Sequence, residues 1–348
     1  MIVAIQPDTL GSPDKRDNSS LRWEELLKAA GHEVRWVDVF RPDILEQLRG
    51  CDGFMWRYAH VSGDRAVAHR LLPVVERELG LCVYPDQDTC WHYDDKITQS
   101  YLLKAAGIPV PETWVYWRRD DAMDFADGAK YPLVLKLASG AGSQNVRLLH
   151  DAKEARGWIG KLFASGVVSL GAESLLNAKA IKQGVKGAAK RILRGSQAVP
   201  EYWFEKHKNY IMFQEFLPDN AFDTRITVIG RRAFGFRRFN RPNDFRASGS
   251  GRIDWDVASV DEATVRLGFS VARKLRAQSV AIDGMRRGDD RVVGEISYTY
   301  SSWAVADCPG HWELQGEPET GKLNWCEGKM WPEEAQIQDF LVRLKSRK

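Results

Sequence analysis

Residues 132–149 read Pro132-Leu133-Val134-Leu135-Lys136-Leu137-Ala138-Ser139-Gly140-Ala141-Gly142-Ser143-Gln144-Asn145-Val146-Arg147-Leu148-Leu149. Two apolar runs, Pro132 to Leu137 and Asn145 to Leu149, have the length and composition of strands, and the stretch between them is too long and too polar for a tight turn. Glycine lets backbone amides approach a ligand because no Cβ intervenes. A Gly/Ser-rich tip behind Lys136, with Ser139, Gly140, Gly142 and Ser143, therefore suits phosphate oxygens. Taken alone it suits an ordinary flexible hairpin equally well. The run matches neither GxxxxGK[ST] nor GxGxxG, so it supports neither a P-loop nor a dinucleotide-binding turn.

Residues further along the chain change the balance. In Met212-Phe213-Gln214-Glu215-Phe216-Leu217-Pro218 a strand ends in an apolar, amide-bearing segment whose backbone can pair with a purine edge. Asp223 follows at a spacing suited to a ribose hydroxyl, and Arg225 projects from the next strand. Arg238 and Arg246 add guanidinium forks, which match phosphate or carboxyl-phosphate geometry better than a lysine does. Asp283 and Glu295, twelve residues apart on successive expected strands, offer the few hard oxygens that Mg²⁺ takes besides phosphate. Each feature read singly also fits edge-strand charges or a surface salt bridge. Their order places cations, a phosphate loop, an apolar hinge and carboxylates on separate strands able to converge on one Mg·ATP.

The rest of the chain is compatible with such a site. Its 348 residues, 44% hydrophobic, can bury a substantial core divided into two or three domains. Charged residues make up 28% of it with a net charge of only +3, a balance that argues against coating nucleic acid by bulk charge. Met1 to Pro7 reads as a buried first strand and not as a signal peptide, and no apolar run reaches the length of a spanning helix. Cys51, Cys82, Cys90, Cys308 and Cys326 are odd in number and contain no CxxC pair, as expected of free thiols in a reducing cytoplasm. Cys90, near His92, reads as a bystander rather than a nucleophile.

The first ninety residues alternate strand and helix signals, among them Ile2 to Ile5, Leu21 to Ala30, Glu33 to Val39, Gly53 to Arg57, Ala66 to Leu79 and Cys82 to Tyr84. This is the pattern of a parallel sheet covered by helices on both faces. A helix follows from Asp94 to Gly107, carrying Lys96 in its first turn. Strands are expected over Tyr210 to Phe216, Arg225 to Ile229, Ala233 to Arg237, Ser279 to Asp283 and Arg291 to Ser297, with helices over Asp261 to Arg276 and Pro332 to Leu344. The Trp-, Gly- and Pro-rich stretch after Trp303 shows no clear pattern. Between Lys179 and Arg194 the chain has six basic residues and no acidic one. That segment reads as a solvated helix braced by Ile181, Val185 and Ile192, with contact to an anionic substrate or a membrane surface as the alternative.

On these motifs the chain resembles the ATP-grasp superfamily, and in pattern its ribosomal-modification and glutathione-synthetase type of carboxylate–amine ligase. The resemblance runs from the N-terminus through Ser297. It implies an α/β chain with α+β elements: a Rossmann-like pre-ATP-grasp domain over residues 1–92, a lid subdomain over 93–217 with a basic insertion at about 168–208, and a catalytic α+β subdomain over 218–348. It also implies ATP and Mg²⁺, with Mn²⁺ as an alternative ion. Lys96 and Lys136 would meet the ATP phosphates and the adenine side, the Ser139 to Ser143 loop phosphate, Gln214 to Leu217 adenine and Asp223 ribose. Arg225, Arg238 and Arg246 would meet phosphate or the activated carboxylate, and Asp283, Glu295 and Ser297 the metal. Ser297 stands where the family carries asparagine in Glu-x-Asn, which leaves one or two ions compatible with the chain. The Asp244-Phe245-Arg246-Ala247-Ser248 run likewise replaces the more usual Arg-Ser-Asn. The implied reaction joins a carboxylate, from a small molecule, saccharide or peptide, to an amine through an acylphosphate. A hydroxyl-directed phosphotransferase and a nucleotide-binding scaffold without turnover are the rival readings. A homodimer is compatible with all three.

Overall fold

A computed structural model of the chain describes residues 1–9, 17–140, 145–169 and 205–347. Gly142, Ser143 and the basic segment Lys179 to Arg194 lie outside the described residues. The first sheet is parallel, in the order Glu33–Trp36, Ile2–Ile5, Gly53–Met55, Cys82–Tyr84. Helices cover both faces, as the alternating strand and helix signals require. Ala4, Phe54, Trp56 and Val83 pack against Ala68 and Leu72 on one face. Val3, Ile5, Met55 and Tyr84 pack on the other against Trp23 and Leu27.

That second face is completed from far along the sequence. The Pro332–Ser346 helix lays Ile337, Phe340 and Leu344 on it, and Trp23 Nε1 donates to Gln336 Oε1 at 2.9 Å. Gln336 in turn donates to the Tyr300 hydroxyl at 2.9 Å, so one residue joins the helix on the first sheet to the segment just after the Asp290–Ser297 strand. Gly53 makes room for this helix. A Cβ there would stand 2.7 Å from Phe340 Cζ and 3.2 Å from the Cys82 carbonyl oxygen.

The second sheet is antiparallel, ordered Thr113–Tyr116, Ile211–Glu215, Leu133–Lys136, Val146–Leu149. The expected pair of strands around the Gly/Ser tip is thus its outer hairpin. The Arg119–Gly128 and Ala152–Phe163 helices pack on one of its faces through Ala122, Ala126, Ala155, Ile159 and Leu162. Asp151 caps the second of these helices by accepting from Glu154 N–H at 2.8 Å. The helix that brings in Lys96 spans Lys96–Ala105, is capped by Asp95 and ends at Gly107, whose φ of +62° terminates it.

The third sheet runs Asp290–Ser297, Ser279–Arg287, Phe222–Ile229, Arg232–Phe239, Gly310–Gln315, Lys322–Glu327, with Ile253–Asp254 paired beside Arg232–Phe239. Its neighbours on this path are antiparallel. One face packs Ile226, Val228, Val280 and Ile282 under the Glu262–Lys274 helix. The other packs Ile229, Phe234, Phe236 and Ala281 under the short Ser302–Ala306 helix. Among the described residues no helix is long and apolar enough to cross a membrane.

The Gly53 and Phe340 contact can be tested. Phe340→Ala should cost about 3–5 kcal/mol of stability and Gly53→Ala about 1–3 kcal/mol through overpacking. Since deleting the ring removes the obstacle, the double variant should cost less than the sum, as read from denaturation midpoints.

Candidate functional site

Strand register builds the site. Asp223 pairs with Arg238, Arg225 with Asp283, and Asp283 with Glu295. Strand side chains alternate between faces, so these five share the face that, further along, carries Phe234, Phe236 and Ala281. The face is apolar under the Ser302–Ala306 helix and charged where it enters the cleft. Arg238 is bidentate to Asp223 at 2.7 and 2.6 Å and also lies 2.7 Å from Asp283 Oδ2. Arg225 Nε donates to Asp283 Oδ1 at 2.8 Å. Burial works to raise the Asp283 carboxyl, and the two guanidinium groups nevertheless hold it below the usual aspartate range.

Lys96 and Lys136 approach from the other side. Lys96, 5% exposed, lies 3.2 Å from Glu295 Oε1 and donates to the Gly140 carbonyl at 2.9 Å. The Gly140 N–H donates to Asp94 Oδ1 at 2.9 Å. The start of the Gly/Ser tip is therefore fastened to the two residues that precede and open the lysine's helix. Burial lowers the Lys136 ammonium, with Glu295 opposing, and its Nζ donates to the Gly294 carbonyl at 3.3 Å. Ser139 turns elsewhere, its hydroxyl donating to Glu205 Oε2 at 2.8 Å.

Between the second and third sheets lies a cleft of about 420 Å³, lined by Lys136, Asp223, Arg246, Asp283 and Glu295 and by Val134, Val146, Phe216, Leu217, Phe245 and Met285. The volume falls within the roughly 300–1,000 Å³ of small-molecule pockets. Gln214 and Glu215 remain in the ladder, paired to Val134 and Leu133, while Phe216 and Leu217 lie beyond the strand's end. Phe216 meets Phe245 edge to face at 5.8 Å. Arg246 is held by Asp244, with Nη2 to Oδ2 at 2.6 Å. Ser297 shares the Glu295 face, but its hydroxyl donates to the Thr299 carbonyl at 2.8 Å.

Other polar groups beside the cleft carry no motif. Arg65 pairs with Glu205 and lies 3.8 Å from Asp94. Asp94 holds a left-handed backbone, φ +51°, a conformation that aspartate tolerates better than most residues. Its carboxyl is raised to about 6 by burial, against Lys96 and Arg65. His60 is lowered to about 4 by burial and by the charges of Arg65, Lys96 and Arg57. The acidic residues beside Lys96 are legible as helix-start residues, but their grip on the loop depends on tertiary contact. Cys90 is buried and its thiol pushed well up, which deprives it of nucleophilic thiolate.

No protein-family model matches the sequence, and no curated protein matches it at the sequence level. Solved structures do match its fold. D-cycloserine synthetase DcsG superposes with a TM-score of 0.59 at 14% identity, over 99% of this chain and 100% of that one. A RimK-domain ATP-grasp protein from Sphaerobacter thermophilus gives 0.51 at 20% identity, over 85% and 90%. D-alanine–D-alanine ligase from Bacillus anthracis complexed with ATP gives 0.53 at 12% identity, over 89% of each. The chain has the ATP-grasp fold.

The lowered His60 imidazole makes a signed pH prediction. A group whose folded pKa lies below its unfolded value of about 6.5 adds stability above that value and loses it as pH falls through about 4. The stability of the wild type relative to His60→Asn should therefore shrink between pH 6.5 and 4, as read from melting temperatures of both proteins across that range. A constant difference would count against the buried neutral state.

Proposed function

We propose that the chain is an ATP-dependent carboxylate–amine ligase. The observation that carries this reading is the division of one cleft into an apolar, aromatic compartment and a compartment where buried cations meet Asp283 and Glu295 on paired strands. The residues fit Mg·ATP. Phe216, Leu217, Phe245 and Met285 offer faces for a purine, and Asp223 an acceptor for a ribose hydroxyl. Lys96, Lys136 and Arg246 offer charge to phosphate, and Asp283 and Glu295 offer hard oxygens on one face. When bound, Mg²⁺ would neutralise phosphate charge.

In this reading a substrate carboxylate oxygen attacks the γ-phosphorus, the bond to the ADP oxygen breaks, and an acylphosphate forms. An amine nitrogen then attacks the acyl carbon, phosphate leaves with the carbon–oxygen bonding pair, and the amine proton passes to solvent. Arg225 and Arg238 would stabilise the charge that builds on the transferring group. Lys96, by gripping the Gly140 carbonyl, would hold the start of the Gly/Ser tip beside the phosphate-facing lysines. The reaction requires no protein nucleophile, in keeping with the inert Cys90. The engaged Ser297 hydroxyl favours a metal held by Asp283 and Glu295 with little help from the position where the family has asparagine.

Lys136→Ala should weaken ATP binding roughly 10- to 100-fold, the range for a lost hydrogen bond to a charged group, with the melting temperature preserved. Arg225→Ala should lower kcat roughly 10²- to 10³-fold. Glu295→Gln should abolish Mg²⁺-dependent ADP formation, and Ser297→Asn should leave it intact or raise it. Calorimetric ATP titration and an ADP assay over a panel of acids and amines check all four. ADP formation that never requires an amine would instead indicate a phosphotransferase.

A further inference from the structure

The hairpin of Gly310–Gln315 and Lys322–Glu327 closes the third sheet at the edge opposite Asp290–Ser297, away from the cleft. Register pairs His311 with Cys326 and Trp312 with Trp325. Alternation then sends the hairpin's side chains to two faces. Trp312, Leu314 and Leu323 pack into the core beneath the Glu262–Lys274 helix, whereas His311, Glu313 and Cys326 share the other face. There an imidazole nitrogen, a carboxylate oxygen and a thiol sulfur all lie within 4.8 Å of one another.

Zinc bonds of about 2.0–2.3 Å in a tetrahedron set ligand separations of roughly 3.3–3.8 Å. Side-chain rotations of about an ångström would close the three atoms onto an ion. His311 is 7% exposed, and its ring lies against Phe234 with centroids 5.3 Å apart. Its Nε2 stands 3.9 Å from Glu313 Oε1, and its Nδ1 is buried with no hydrogen-bond partner. Cys326 is a half-buried free thiol. Arg232 Nε at 3.5 Å and Arg231 Nη2 at 4.0 Å steady the Glu313 carboxylate, as outer partners of metal-bound carboxylates do. A thiolate with an imidazole and one carboxylate is a borderline-soft donor set that favours Zn²⁺ over Mg²⁺.

We propose that His311, Glu313 and Cys326 form a Zn²⁺ site, with water in the fourth position, that pins the edge hairpin. Binding releases the Cys326 proton to solvent, and the thiolate and carboxylate balance the ion's charge. The test titrates the chelator-stripped protein with Zn²⁺ against a chromophoric chelator, in excess Mg²⁺ to occupy hard-oxygen sites. The expected result is a single equivalent bound and a melting temperature raised by several degrees. Co²⁺ as a probe should give a thiolate-to-metal charge-transfer band that Cys326→Ser abolishes. Zn²⁺ affinity should fall at least tenfold in Cys326→Ser, His311→Gln and Glu313→Gln, with the ATP affinity of each unchanged. Absence of Zn²⁺ uptake overturns the proposal, as does uptake of unchanged affinity in Cys326→Ser and Glu313→Gln. These two half-buried positions keep the test decisive even if His311→Gln fails to fold.

Discussion

Asp283 accepts from Arg225 on the adjoining strand and lies 2.7 Å from Arg238 two strands over, and these two guanidinium groups let its buried carboxylate keep its charge. Removing one partner from such a group strands a charge in low dielectric at a cost of about 3–5 kcal/mol. The pairing is therefore a condition of folding as well as a feature of the cleft. It also limits register. A slip of one residue would send every one of these charges into the apolar layer beneath the Glu262–Lys274 helix. The same alternation that packs Ile226, Val228 and Ile282 on one side delivers Arg225 and Asp283 to the other.

On the proposed reading, the cleft without nucleotide is electrically self-satisfied. Lys96 rests on Glu295, and Arg225 and Arg238 rest on Asp283. Phosphates arriving with a divalent ion would exchange partners with this network, since the lysines and arginines would turn to phosphate as the carboxylates turn to metal. Charge is conserved in such an exchange, so little uncompensated charge has to be buried at any stage. Lys96 links this network to the loop, because the same ammonium contacts both Glu295 and the Gly140 carbonyl.

What the sequence made legible was whatever follows from local period. Arg225 opens an expected strand, which in the structure begins earlier, at Phe222, and so takes in Asp223 as well; Asp283 and Glu295 sit on consecutive strands, and the Gly/Ser tip lies between two apolar runs. The expected strands are visible because strands repeat every two residues. The Ala152–Phe163 helix was not among the expected elements, although Asp151 caps it and Ala155, Ile159 and Leu162 recur at helical spacing. The strands of the Gly310–Gln315 and Lys322–Glu327 hairpin were hidden because their apolar side is broken, with Trp312 against a core and its partner Trp325 exposed, among polar residues on the other face. The turn of Ser139 toward Glu205, and the Asp94 clamp on Gly140, join residues distant in sequence and leave no local trace.

The Pro332–Ser346 helix has a consequence for synthesis. Gly53 and its neighbouring strands leave the ribosome long before Phe340, and at about 5–20 residues per second the gap amounts to roughly 15–60 seconds. Until then the cover of Val3, Ile5 and Met55 comes from the first helix, through Trp23, Leu26 and Leu27, without Ile337, Phe340 and Leu344. The nascent N-terminal sheet therefore presents an open apolar face throughout translation of the ATP-grasp core. A chaperone that shelters emerging hydrophobic surface would find its binding site there, and would be displaced only when the Pro332–Ser346 helix docks.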